Sequence, residues 1–152
     1  MQLRTGECYS PEQVLPHRQA LLLADTVDYG ADYGQIVLTI RSDSLFCEGE
    51  RGVPAWVGIE YMAQAMGVFS GVERRQQGAA PKIGLLIGTR RYDSEVSYFP
   101  VGARLTTLAR LTFFEGEMFV FQCEISDGNR VLARGDIKAF RPENLQQFLD
   151  SL

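Results

Sequence analysis

Residues 54–71 read PAWVGIEYMAQAMGVFSG, an almost unbroken run of apolar and small side chains. This run restricts the fold more than any other feature. Trp56, Val57, Ile59, Met62, Ala63, Ala65, Met66, Val68 and Phe69 leave a helix no wide polar face to turn toward water, so other elements must wrap it. Pro54 is placed to start the helix, and the pattern carries it to about Arg75, with an end near Gly78. Residues 53–72 are about long enough to cross a bilayer. Glu60 and Gln64 would then lie near its centre, where a carboxylate costs roughly 2.5–3.5 kcal/mol. Gly58, Gly67, Ser70 and Gly71, with strand-like segments on both sides, point instead to a buried helix in a soluble domain.

The wrapping material is strand-like. YGQIVLTIRSD alternates Ile36, Leu38 and Ile40 with Val37, Thr39 and Arg41, and it pairs naturally with ALLLADTVDYG across residues 30–32. After the helix come four more strand patterns, at 82–92, 103–114, 117–126 and 130–140. Glu115-Gly116 and Asp127-Gly128-Asn129 read as tight hairpin turns between them. Ahead of everything, Ser10, Pro11 and Gln13 form a helix-start signature, and Pro16 limits that helix to about two turns, a short lid-like element. Residues 42–52 are a polar loop, and 141–152 a short terminal helix or loose end. The order is α+β, an antiparallel sheet with one long helix, and 152 residues suit a single domain, 1–152.

Charge and cysteine usage exclude several function classes. A net charge of -4 gives no basic face for nucleic acid. Cys8, Cys47 and Cys123 are widely spaced beside a single histidine, which fits neither a zinc cluster nor a disulfide framework, so no metal is expected. The opening MQLRTGECYSPEQ is polar rather than basic-then-apolar, so a reducing cytoplasm is the expectation. Thirteen arginines stand against two lysines. The pairs Arg74-Arg75 and Arg90-Arg91 could meet an anionic partner or lie solvated on the surface.

One residue in the helix asks for an explanation. A carboxylate at Glu60 among such neighbours is costly to bury without a partner or a task. Gln64 follows at i+4 on the same helix face. The stretch PAWVGIEYMAQA resembles the central helix of the 3-hydroxyacyl-acyl-carrier-protein dehydratase family, which opens with proline-glycine and carries E-A-M-A-Q. LPHRQALLLADTV resembles that family's L-P-H-R-x-x-x-L-L-x-D segment, and IGTRRYDSEVSYFPVGARL its G-I-x-x-x-x-F-x-x-P-V-x-P-G-D-x-L strand. The helix looks closer still to a subgroup, the dehydratase-like proteins of aryl polyene biosynthesis. The resemblance runs from about Leu15 to Phe140 and implies the hot-dog fold, a sheet curled around a long central helix.

It also implies chemistry. Dehydrating a 3-hydroxyacyl thioester needs a base for the α-proton, an acid for the departing hydroxyl and a donor for charge on the thioester oxygen. In the family a histidine and a carboxylate from two different subunits form the acid–base pair. Carried over, Glu60 is the carboxylate, raised in pKa if partly desolvated, with Gln64 its neighbour one turn on. The Ala55 N–H at the helix start is the oxyanion donor. The family histidine, in G-H-F-P, falls on Phe46 here, where the sequence is LFCEGERGV; a shifted alignment offers Asp43 or Ser44. The only histidine, His17, belongs to the L-P-H-R segment, where the resemblance makes it structural; replacing the lost base is its other reading. Trp56, Met62 and Met66 are core residues or line an acyl tunnel.

The resemblance implies no cofactor, the substrate riding on the phosphopantetheine of an acyl carrier protein, which Arg74, Arg75, Arg90 and Arg91 could contact. Its expected function is that of a dehydratase-like protein of fatty acid or polyene assembly, contributing Glu60 to a site shared with a histidine-bearing hot-dog subunit. A self-sufficient dehydratase, homodimeric in the family manner, stays open. So do a non-catalytic acyl- or carrier-protein-binding subunit and a thioesterase of the same fold.

Overall fold

The computed structural model describes residues 2–17, 22–80 and 85–152. Eight strands, β1 (Thr26–Tyr29), β2 (Tyr33–Thr39), β3 (Val53–Pro54), β4 (Leu85–Ser94), β5 (Tyr98–Phe99), β6 (Arg104–Glu115), β7 (Met118–Ser126) and β8 (Val131–Phe140), surround the long helix α2 (Gly58–Gln76). Six of them form one antiparallel sheet in the order β1-β2-β6-β7-β8-β4. The two hairpin turns read from the sequence join β6 to β7 and β7 to β8, and Gly116 and Gly128 supply their positive φ. Part of the strand expected at 82–92 and of the segment ALLLADTVDYG lies outside the described residues; β1 itself begins at Thr26.

Alternation decides which face of the sheet meets the helix. Ile36, Leu38, Leu105, Ala109, Phe121, Cys123, Ile125 and Ile137 point inward and are buried, while their strand neighbours face out. Tyr61, Met62, Ala65, Met66, Val68, Phe69 and Val72 of α2 fill the other side of that core, so the wrapping read from the apolar helix is present. Phe69 meets Phe121 edge-on at 5.9 Å between ring centroids. The closest approach is at Gly34, where a Cβ would lie 2.2 Å from the Ala65 carbonyl oxygen, so the missing side chain lets the helix rest on β2. This is the hot-dog arrangement the resemblance implies. No helix among the described residues is long and apolar enough to cross a membrane.

Two short elements set the ends of α2. A 3-10 turn, Ala55–Val57, leads into it, and β3 pairs with β5 in a separate two-stranded sheet just ahead of this entrance; pattern reading of the sequence did not foresee that pairing. At the other end α1 (Pro11–Val14) is one turn rather than two. The Ser10 N–H donates to Gln13 Oε1 at 2.8 Å, and Arg75 Nε donates to the Gln13 carbonyl at 2.7 Å. Val14 and Leu15 are fully buried against α2. A Cβ at Gly71 would lie 1.7 Å from the Val14 carbonyl oxygen, so the turn sits directly on the helix backbone. The tail forms α3 (Leu145–Asp150), started by Asn144, whose side chain accepts from the Gln147 N–H at 2.9 Å.

Candidate functional site

The docking of α1 on α2 brings the following residues, Pro16 and His17, back over the first turn of the long helix. There His17 Nε2 lies 3.9 Å from Glu60 Oε1. The separation exceeds hydrogen-bond length, yet it is short enough for the carboxylate to feel the imidazole whenever the ring is protonated. The pair borders a groove of about 500 Å³ whose remaining walls are Leu23, Leu45, Phe46, Trp56, Val57 and Ile59. One carboxylate and one imidazole thus stand in an otherwise apolar channel.

Expected burial of Glu60 is not what the chain shows by itself. Its side chain is 48% exposed and that of His17 30%. Position explains this: Glu60 lies in the first turn of α2, where the helix emerges from the sheet. Gln64, one turn further in, is fully buried, and its Oε1 accepts the Leu23 N–H at 3.0 Å. Gln64 therefore positions the Leu23 wall of the groove and does not itself line it.

The helix entrance also differs from expectation. The Ala55 N–H, expected as oxyanion donor, donates to the Ser97 carbonyl at 2.9 Å, while the Tyr92 hydroxyl donates to the Ala55 carbonyl. Burial pushes Tyr92 up to about 12, so it remains a neutral donor. The 3-10 turn closes by donation from the Val57 N–H to the Pro54 carbonyl and from the Gly58 N–H to the Ala55 carbonyl, so the Trp56 N–H is the one the turn leaves unused.

Phe46, at the position where the resemblance puts the family histidine, has φ of 66°, unusual for a side-chain-bearing residue and costing roughly 1–2 kcal/mol. Its ring packs on Trp56 with centroids 5.3 Å apart. Trp56 is 61% exposed, so it belongs to the groove wall rather than the core. Met62 and Met66 face the opposite way and are buried under the sheet. Asp43 is 81% exposed and ion-paired with Arg41 at 3.3 Å, in a smaller depression that shares Leu23 and Leu45 with the main groove. Arg74 Nε donates to the Ala80 carbonyl, as Arg75 does to Gln13, so both arginines tie down the end of α2. Arg90 is exposed, and Arg91 pairs with Asp93.

Sequence reasoning missed the aromatic pair and a second carboxylate. Glu73, on the far half of α2, is buried and accepts from Arg141 at 2.9 Å, while Arg141 also donates to Ser70 and covers the Phe119 ring. Nothing in the sequence marks Arg141 as the partner of a residue in a distant helix.

The sequence model of the ApeP-like family, described as ApeP dehydratase, matches residues 9–150. The chain belongs to the ApeP-like dehydratase family. No curated protein matches it. Among solved structures, it is similar to one from the dehydratase heterocomplex ApeI:P of Xenorhabdus doucetiae, with a TM-score of 0.88 and 27% identity over 95% of this chain and 98% of that one. The HP0420 homologue of Helicobacter felis (13% identity, TM-score 0.69, 92% and 90% covered) shares the fold. So does Escherichia coli PaaI, from the phenylacetic acid degradation operon (15%, 0.59, 76% and 81%). An ApeP-like chain thus carries a hot-dog sheet around its central helix and presents Glu60 at the helix entrance.

Proposed function

We propose that this ApeP-like chain is one subunit of a 3-hydroxyacyl thioester dehydratase, working beside a related hot-dog subunit, with Glu60 as its proton-transferring carboxylate. The observation that carries the reading is the placement of Glu60 in the wall of an otherwise apolar groove, in the first turn of α2. An acyl chain fits such walls, and a carboxylate there can protonate a departing hydroxyl. The unused Trp56 N–H, at the positive end of α2, suits charge growing on a thioester oxygen.

A partner subunit would account for what one chain leaves open. Glu60, Phe46 and Trp56 are exposed together, and covering them would exclude water from the groove and strengthen its electrostatics. The similarity to the ApeI:P heterocomplex supports a second hot-dog chain as that cover. The substrate is a 3-hydroxyacyl group on the phosphopantetheine of an acyl carrier protein in cytoplasmic fatty acid or polyene assembly, and no other cofactor is needed. Arg90, with Arg91 beside it, is available to an acidic carrier protein, whereas Arg74 and Arg75 are committed to backbone carbonyls. The reaction also needs a base, from this chain or from its partner.

The experiment is to incubate a 3-hydroxyacyl-carrier protein with the chain, alone and with a hot-dog partner, and follow loss of one water by mass spectrometry. Turnover that disappears in Glu60→Gln supports the proposal. Undiminished turnover by Glu60→Gln would remove its basis.

A further inference from the structure

We infer that the base is His17 of this same chain, so that one subunit holds a complete acid–base pair. This rests on the dehydratase reading of the groove.

Three observations lead there. His17 is the one histidine in the sequence, and the fold sets its Nε2 3.9 Å from Glu60 Oε1 across the same groove. Its location is also built rather than incidental. The one-turn helix before it is seated on Gly71, held by Arg75 through the Gln13 carbonyl and anchored by the buried Val14 and Leu15, so His17 leaves a fixed point two residues away. Finally, the position that the resemblance gives to a histidine is held by Phe46, whose ring leans on Trp56 and offers no base.

The electrostatics of the groove belong to this pair. Among the described residues lining it, His17 and Glu60 are the titratable ones. The charged residues of the adjoining depression, Asp25, Arg41 and Asp43, form ion pairs with one another. A single proton shared between His17 and Glu60 makes the competent state. Neutral His17 takes the α-proton from C2 of the 3-hydroxyacyl thioester. The released electron pair closes the C2–C3 double bond, the C3–oxygen bond breaks, and protonated Glu60 gives its proton to the departing hydroxyl as water. His17 is left protonated and Glu60 ionised. Once the enoyl thioester leaves, the proton passes from His17 back to Glu60 and the pair is reset, with no other reactant consumed.

The test uses the assembled protein with its hot-dog partner and compares His17→Gln, His17→Ala and Glu60→Gln, each confirmed as folded and assembled. Both His17 variants should lose about 10²–10⁴-fold in kcat with KM little changed, and the acidic limb of the kcat/KM profile against pH should disappear with the imidazole. A structural histidine would instead lower stability or raise KM and leave the limb in place. Wild-type kcat and an unchanged pH profile in both His17 variants, with Glu60→Gln inactive, would overturn the proposal and put the base in the partner while leaving the dehydratase reading intact. Full activity in Glu60→Gln would overturn the reading itself.

Discussion

Gly71→Ala should be costly, although it places the best helix former inside a helix. The added methyl would stand 1.7 Å from the Val14 carbonyl oxygen and 2.5 Å from its carbon, where ordinary contact begins at 3.4 Å. The obstacle is backbone, so α1 must retreat by roughly 1.7 Å to restore 3.4 Å. Forcing such a shift costs about 1–3 kcal/mol. Undocking Val14 and Leu15, both fully buried, would forfeit about 1.5–3 kcal/mol each. Helix propensity returns about 1 kcal/mol. A net loss of about 0–2 kcal/mol follows if α1 shifts but stays docked, and of about 2–5 kcal/mol if it undocks, read from urea unfolding followed by circular dichroism. Gly67→Ala is the control, since its Cβ would meet only the end of the Leu15 side chain at 2.9 Å, which can swing aside. If Gly71→Ala proved as stable as Gly67→Ala, the seating of α1 on α2 would be refuted, along with the anchor it provides for His17.

Two further outcomes follow from buried groups. Burial pushes both the Tyr92 phenol, ordinarily 10.0, and the Cys123 thiol, ordinarily 9.0, up to about 12. The unfolded chain loses these protons first, so their contribution is whole below about pH 9 and falls away as pH rises toward 12; the urea midpoint should drop across that window, and Cys123→Ala should flatten the drop. A midpoint independent of pH there would contradict the burial. Arg141→Ala leaves the Glu73 carboxylate buried without its partner, in a pair whose side chains are 18% and 8% exposed, and should cost about 3–5 kcal/mol in urea unfolding. A loss below about 1 kcal/mol would mean that Glu73 finds another partner.

The reading of Glu60 shows where local pattern runs out. Its apolar neighbours argued for burial, but neighbours along a helix say nothing about which turn the sheet covers. Glu60 lies in the uncovered first turn and Gln64 in the covered second. Ala55 failed as an oxyanion donor for a similar reason: its N–H is taken by Ser97, forty-two residues on, through a two-residue strand pairing too short to leave a periodic signal. His17 was legible as a candidate, but not its distance from Glu60, which depends on a one-turn helix packing against the far end of α2.

What this sequence determined by itself was the architecture. Period-two alternation in β2, β6, β7 and β8 and an apolar helix between β2 and β6 point to an α+β antiparallel sheet packed on one long helix, because each needs the other to bury its face. The resemblance of the helix motif supplied the curled hot-dog form. Helix-start and turn chemistry were equally local, at Ser10, Gly116 and Gly128. Only the tertiary structure decided which polar groups meet. Residues far apart in sequence become neighbours when strands and helices pack, and the spacing of His17 from Glu60, the pairing of Phe46 with Trp56 and that of Arg141 with Glu73 all arise there. Burial is a long-range property that pattern can anticipate, whereas the contact between two particular side chains exists only once the chain has closed on itself.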